Sequence, residues 1–129
     1  MFGNLFNNKN NINLLIFSIF LLIIDQATKA LIVSRFDLYE SIPVVPFFNL
    51  TFVVNYGFAF GFLNSPSLNQ IIVSVVILSI IIYFLYLLIK TQDRVFKICL
   101  VLILTGAVGN FLDRIFRGYV VDFIDIYVF

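Results

Sequence analysis

The sequence predicts a mainly α-helical integral membrane protein, with three transmembrane helices and a small interfacial β segment between the first two. Composition and patterning support this fold class. Of the 129 residues, 62% are hydrophobic and 12% are charged, whereas soluble domains are about half apolar and a quarter charged. The apolar residues are concentrated in three long runs, so residues 1–129 are predicted to form a single membrane domain.

The first apolar run extends from Leu14 to about Val33 and predicts span one. About twenty helical residues, rising ~1.5 Å each, cross a hydrocarbon core of ~30 Å. The residues before Leu14 are rich in Asn and predict a short polar tail that contains Lys9. A cleaved signal peptide is the alternative, but no small-residue cleavage site closes the run, and DQATK interrupts it instead. We therefore expect an uncleaved span.

The segment 34–69 between spans one and two is predicted to contain short β-strands. It contains Pro43, Pro46 and Pro66, and its run FFNLTFVV alternates in part between apolar and polar residues. Period-two alternation of aromatic and β-branched residues with polar ones favours strands. Because the segment is strongly apolar, we expect a strand pair that lies against the lipid headgroups.

Spans two and three are predicted over residues 71–89 and 95–112. The second half of span three carries small residues that allow two membrane helices to approach closely: Thr105, Gly106, Ala107 and Gly109. The loop between these spans contains three cations, Lys90, Arg94 and Lys97. By the positive-inside rule this loop is cytoplasmic, which places segments 34–69 and 113–129 at the outer face.

The composition also limits the chemistry. The chain has no His and a single Cys, Cys99, which excludes Ser-His-Asp and Cys-His nucleophiles and zinc sites built on His. A net charge of +1 provides no basic surface for nucleic acid. We predict no metal site and no cofactor, and if the protein is an enzyme, carboxylates are expected to carry its proton chemistry.

Ionisable and amide side chains lie near the outer ends of the spans. Asp25 and Lys29 are four residues apart in span one and can pair on one helix face. Charged groups at membrane depth are costly and mark either function or a self-neutralised pair. Asn55 and Gly57 lie in NYGFAFGF, where the structural interpretation is a tight turn into span two.

The stretch after span three is the richest in polar residues. Asn110, Asp113 and Arg114 share one helix face at its outer end, and Asp113 can pair with Arg114, Arg117 or Lys29.

Beyond this stretch, Gly118 is expected to end the helix. Asp122 follows within VVDFI, where apolar neighbours are expected to desolvate its carboxyl group in part. The sequence up to this point is compatible with two roles for Asp122, a buried structural carboxylate or a catalytic one.

Three ordered motifs resemble those of the lipoprotein signal peptidases, also called signal peptidase II. DQATK matches the family's Asp-Gln followed by Lys, and NYGFAF matches Asn-x-Gly-x-Ala-Phe. GNFLDR and GYVVDF match Gly-Asn-x-x-Asp-Arg followed by Gly-x-Val-x-Asp-Phe. The match covers the chain from about residue 14.

The resemblance implies an aspartic peptidase of the bacterial inner membrane, with four spans and its active face outside. Its implied partners are membrane lipid and the signal peptide of a prolipoprotein, cut before a cysteine that carries diacylglycerol. Asp122 corresponds to the first catalytic aspartate. The other motif residues, which would bind substrate or support the site, are Asp25, Lys29, Asn55, Gly57, Asn110, Asp113 and Arg114.

The family's second aspartate belongs to a Phe-Asn-x-Ala-Asp motif that opens its fourth span. The sequence ends at Phe129 without that motif, so we expect an impaired peptidase. Asp125 would share the face of Asp122 if the stretch were helical, which offers a second possible dyad. Two further hypotheses for the function are a non-catalytic binding remnant and a small membrane transporter subunit.

Overall fold

The computed structural model describes residues 9–57 and 66–127. Within them three helices are long and apolar enough to cross a membrane. They are α1 (Lys9–Arg35), α2 (Pro66–Lys90) and α3 (Arg94–Arg117), and α3 packs against both of the others. The three predicted spans and the mainly helical fold class are confirmed.

Helix α1 begins at Lys9, so residues 9–13 of the predicted polar tail are helical. No Gly or Pro interrupts residues 9–35, and polar side chains in a helical turn are compatible with water beyond the bilayer edge. Many large apolar side chains of α1 are exposed, such as Ile16 at 60% and Phe20 at 57%. These side chains form a surface suited to lipid.

The turn between α2 and α3 is short and capped. Asp93 precedes α3, and its Oδ1 accepts a hydrogen bond of 2.7 Å from the backbone N–H of Phe96. This N-cap satisfies one of the free donors of the first helical turn. The other end of α3 is set by Gly118, whose φ of 78° lies in the left-handed region. The predicted helix break at Gly118 is confirmed.

Beyond α3 the chain forms a third strand that the sequence reasoning missed. An antiparallel sheet of order β1-β2-β3 joins β1 (Ser41–Val45), β2 (Phe48–Asn55) and β3 (Val120–Ile126). The expected strand pair is present, and the segment after Gly118 adds to its open edge. Residues VVDFIDI are β-branched or aromatic at five of seven positions, a composition that favours a strand once a partner edge is available.

The sheet packs on the C-terminal end of α1. Ile32 of α1, Phe52 of β2 and Val121 of β3 form a buried apolar cluster. Phe36 and Phe123 pack at its margin. The sheet is therefore attached directly to the end of the helix pair α1–α3, where the predicted polar motifs converge.

Candidate active site

Helices α1 and α3 approach closely at Gly109. A Cβ atom at this position would overlap Oδ2 of Asp25, and the backbone carbonyl of Gly109 accepts a hydrogen bond from Nε2 of Gln26 at 3.1 Å. Gly106, three residues earlier, has no heavy atom within 4 Å of an added Cβ among the described residues. Of the two glycines in the predicted small-residue patch, Gly109 is the one at which the contact between α1 and α3 requires the absence of a Cβ atom.

Lys29 lies at the centre of the polar contacts between these helices. Its side chain is 5% exposed, and Nζ lies 3.1 Å from Oδ2 of Asp25 and 2.9 Å from Oδ2 of Asp113. Nζ also donates to Oδ1 of Asn110 at 3.0 Å. The predicted pair on α1 is thus part of a larger cluster, in which three donors of the ammonium group have partners.

Asp113 is fully buried, with 0% exposure. Besides Lys29, it accepts hydrogen bonds from Arg117, from Nε2 of Gln26 at 3.3 Å and from the backbone N–H of Val121 at 3.2 Å. Of the three cations that the sequence offered as partners, Lys29 and Arg117 form ion pairs with Asp113. Asp25, Lys29, Asp113 and Arg117 together carry no net charge, as a buried group of ions requires.

The cluster contains two residues that sequence reasoning did not place in the site, Gln26 and Arg117. Oε1 of Gln26 accepts from Arg117 at 3.1 Å, while Nε2 also contacts Oδ2 of Asp25 at 3.0 Å. The four-residue spacing of Asp113 and Arg117 was a usable signal. Nothing in the sequence indicated that Gln26 would bridge the two helices.

Within the described residues, Arg114 forms no ion pair with a carboxylate of this cluster. Its guanidinium donates to the backbone carbonyl of Asn110 at 3.2 Å. Its Nε is buried and has no hydrogen-bond partner among the described residues. Arg114 therefore keeps donors available beside Asn110, at the outer end of α3.

Asn55 and Gly57 form a turn. Oδ1 of Asn55 accepts from the backbone N–H of Gly57 at 2.7 Å, and Gly57 has a φ of 100°. An added Cβ at Gly57 would lie 2.9 Å from a methyl group of Val73 on α2. The tight turn into span two is as expected, while residues 58–62 of the motif lie outside the described residues.

Asp122 lies in β3 opposite Val53 of β2 and is exposed. The prediction that apolar neighbours partly desolvate the carboxyl group of Asp122 is therefore wrong within the described part of the chain. The reason is strand geometry, because successive side chains point to opposite faces and Val121 takes the buried face. Asn55 of β2 pairs with Val120, which lies two residues before Asp122 in β3. Asn55 is therefore a diagonal neighbour of Asp122 on the same face of the sheet.

Asp125 points to the other face of β3. Residues three apart in a strand lie on opposite faces, and Oδ2 of Asp125 accepts from Nδ2 of Asn49 at 3.2 Å and from Oγ1 of Thr51 at 3.0 Å. The stretch is not helical, so the condition for an Asp122–Asp125 dyad is not met.

Comparisons with known proteins agree with these motifs. A family model described as signal peptidase (SPase) II matches residues 17–129. The chain belongs to the signal peptidase II family. The lipoprotein signal peptidase of Haemophilus influenzae is 39% identical over 125 residues, which cover 94% of this chain and 72% of the relative. That of Halalkalibacterium halodurans is 45% identical over 116 residues, covering 88% of this chain and 73% of the relative.

Solved structures show the same fold. A bacterial membrane enzyme determined by the in meso method at 1.9 Å resolution has a TM-score of 0.75 and 34% identity, covering 88% of this chain and 74% of that one. A second such structure, at 2.3 Å, has a TM-score of 0.74 and 33% identity, covering 90% and 71%. This member of the signal peptidase II family is thus a multi-pass membrane protein, and its family is one of aspartic peptidases that act on lipoprotein precursors.

Proposed function

We propose that the chain cleaves the signal peptide of a prolipoprotein immediately before a cysteine that carries diacylglycerol, with Asp122 as one of two catalytic carboxylates. The observation that carries this assignment is the state of the carboxylates at the outer end of α1, α3 and β3. Asp25, Asp113 and Asp125 are engaged by cations or hydrogen-bond donors. Within the described residues, the side chain of Asp122 has no hydrogen bond or ion pair and is exposed.

The chemistry needs two carboxylates that share one proton. One carboxylate takes a proton from water, whose oxygen attacks the scissile carbonyl, while the other, protonated, donates to the carbonyl oxygen. The proton is then passed to the leaving nitrogen as the C–N bond breaks. The family resemblance assigns the second carboxylate to the Phe-Asn-x-Ala-Asp motif, which residues 1–129 do not contain. We propose that cleavage requires that group.

The surroundings of Asp122 suit a lipid-modified peptide. Ile42, Leu50 and Ile124 form a cross-strand row on the sheet face that carries Asp122, and Ile42 and Ile124 are 45% and 59% exposed. An exposed apolar sheet face beside a carboxylate can hold the extended substrate near the headgroups, while its acyl chains remain in the bilayer. Arg114 and Asn110 supply donors and acceptors toward the substrate backbone.

The charge distribution supports an orientation in the bacterial inner membrane with this site outside. Lys90, Arg94 and Lys97 lie at the end of the helix bundle opposite the sheet. Short loops rich in Lys and Arg stay in the cytoplasm. Asp122 and the sheet then face the side on which exported precursors arrive.

The first test compares Asp122→Asn with Asp37→Asn in residues 1–129 fused to a fourth span that carries the Phe-Asn-x-Ala-Asp motif, using a diacylglyceryl-modified precursor in detergent or in a peptidase-deficient cell. Asp37 is an exposed carboxylate on the same membrane side, which makes it a matched control. We expect Asp122→Asn to lower the rate at least ~10²-fold and Asp37→Asn to leave it unchanged. Equal effects of the two substitutions would refute the assignment of Asp122.

The second test concerns the need for another carboxylate. Residues 1–129 expressed alone are expected to leave the precursor uncut, and fusion of a fourth span that carries the Phe-Asn-x-Ala-Asp motif is expected to restore cleavage. Co-purification of uncut precursor with residues 1–129 would identify a binding role without catalysis. Cleavage by residues 1–129 alone would contradict the two-carboxylate proposal as stated.

A further inference from the structure

The carboxylate of Asp113 connects the helix pair to the strand that carries Asp122. Its Oδ2 accepts a hydrogen bond of 3.2 Å from the backbone N–H of Val121, the residue immediately before Asp122. This is a contact between a side chain of α3 and the main chain of β3. It fixes the point at which the strand leaves Gly118 and passes the end of the helices.

The acceptor in this bond is held firmly. Oδ2 of Asp113 also contacts Nζ of Lys29 at 2.9 Å, and Oδ1 contacts Arg117 and Gln26. A carboxylate has about four lone-pair sites, and here four donors occupy them in a position with 0% exposure. Because every donor restrains it, the carboxylate cannot move away from the Val121 N–H without breaking an ion pair.

The side chain of Asp122 lacks such restraint. Within the part of the chain that the structure describes, no side chain or backbone group bonds to its carboxyl group, so its direction depends on the backbone of β3. Val121 determines that backbone in two ways, through its side chain, 2% exposed in the apolar cluster, and through its N–H. The N–H bond acts one peptide unit away from the Cα of Asp122.

We propose that Asp113 is a positioning residue for Asp122, which it orients through the Val121 N–H, and that Lys29, Gln26 and Arg117 serve this role by fixing Asp113. The inference rests on the proposed function of Asp122. It means that the buried ion cluster also positions a catalytic carboxylate. Misplacement of a reacting group by about 1 Å costs on the order of 10²-fold in rate, so the strand position matters to catalysis.

The test must remove the bond while leaving the cluster intact, because Asp113→Asn would leave Lys29 and Arg117 without their shared anion and could unfold the protein. Replacing Val121 by its α-hydroxy acid converts the amide to an ester, which deletes the N–H and retains the side chain. The matched control is the same replacement at Tyr119, whose N–H makes no hydrogen bond within the described part of the chain.

In the fusion of residues 1–129 with a fourth span that carries the Phe-Asn-x-Ala-Asp motif, we expect the Val121 ester to lower kcat by about tenfold to a hundredfold with KM changed less than about twofold, and the Tyr119 ester to leave both unchanged. The ¹³Cγ resonance of Asp122 provides a second measurement that needs no activity, and it should shift in the Val121 ester alone. If the unsubstituted fusion protein does not cleave, the proposed function fails and the resonance still decides the positioning role. Equal kcat for the two esters, or an unmoved Asp122 resonance, would overturn it.

Discussion

Gly109 determines how closely α3 approaches α1. An added Cβ would overlap Asp25, which holds Lys29 and Gln26. We expect Gly109→Ala to destabilise the protein by about 1–3 kcal/mol, the usual cost of overpacking, as a lower thermal midpoint in detergent. Gly106→Ala is the matched control on the same helix. It meets no heavy atom within 4 Å among the described residues and is expected to be neutral or slightly stabilising, and equal losses at both positions would contradict the close approach.

Lys29 is the shared cation of two carboxylates. Its removal leaves Asp113 with Arg117 as its remaining ion-pair partner in the described residues and leaves Asp25 with none there. Truncating one partner of a buried ion pair costs about 3–5 kcal/mol, so Lys29→Ala should strongly lower the thermal midpoint and the yield of folded protein. Lys9→Ala, at the exposed start of α1, should leave both unchanged. A small effect of Lys29→Ala would show that the cluster contributes little to stability.

At the scale of the element, β3 presents two carboxylates to opposite faces of the sheet. Asp125 receives hydrogen bonds from Asn49 and Thr51, and Thr51 lies 2.7 Å from Oγ of Ser41, so one polar chain crosses all three strands. These hydrogen bonds stabilise the sheet, so their loss is expected to lower the free energy of unfolding.

In the fusion with the fourth span, we therefore expect Asp125→Ala to cost about 1–3 kcal/mol of stability while retaining cleavage at a temperature where the protein is folded, in contrast to Asp122→Asn. Thermal unfolding and precursor cleavage measured on the same preparation separate the two effects. Abolished cleavage with an unchanged thermal midpoint would revive Asp125 as a participant in the chemistry.

The elements differ in how far the sequence could predict them. Long apolar runs identify α1, α2 and α3, because twenty apolar residues have few other stable environments. Gly118 marks the end of α3 because its positive φ suits Gly. The strand β3 was missed because its partner edge lies some 70 residues earlier, from Phe48 to Asn55, and short apolar segments do not reveal their partners. Gln26 was missed as a bridge for the same reason, since its contacts are with α3.

At the scale of the whole molecule, charge is distributed differently at the two ends of the helix bundle. The end away from the sheet carries Lys9, Lys90, Arg94 and Lys97. The end next to the sheet also carries four cations, and two of them, Lys29 and Arg117, form ion pairs with Asp25 and Asp113. Because the positive-inside rule keeps short loops rich in Lys and Arg in the cytoplasm, we expect the loop that joins α2 and α3, with Lys90, Arg94 and Lys97, to be cytoplasmic.

The cationic loop predicts the topology. A reporter active only in the cytoplasm should be active when inserted after Gln92, between α2 and α3, and silent when fused after Tyr127. A reporter active only outside should give the reverse pattern. Cytoplasmic activity after Tyr127 would contradict both the span count and the position of Asp122 at the outer face.

The bridge between Gln26 and Gly109 also has a consequence for biosynthesis. The two residues are 83 positions apart, and a ribosome that adds 5–20 residues per second needs about 4–17 s to cover that distance. Throughout this interval α1 must reside in the bilayer without the helix that later receives its polar side chains. The Asp25–Lys29 pair, formed within α1 itself, is available from the start. This pair can neutralise the two charges within the bilayer until Asp113 is synthesised. Lys29 then gains Asp113 as its second carboxylate partner, as in the folded protein.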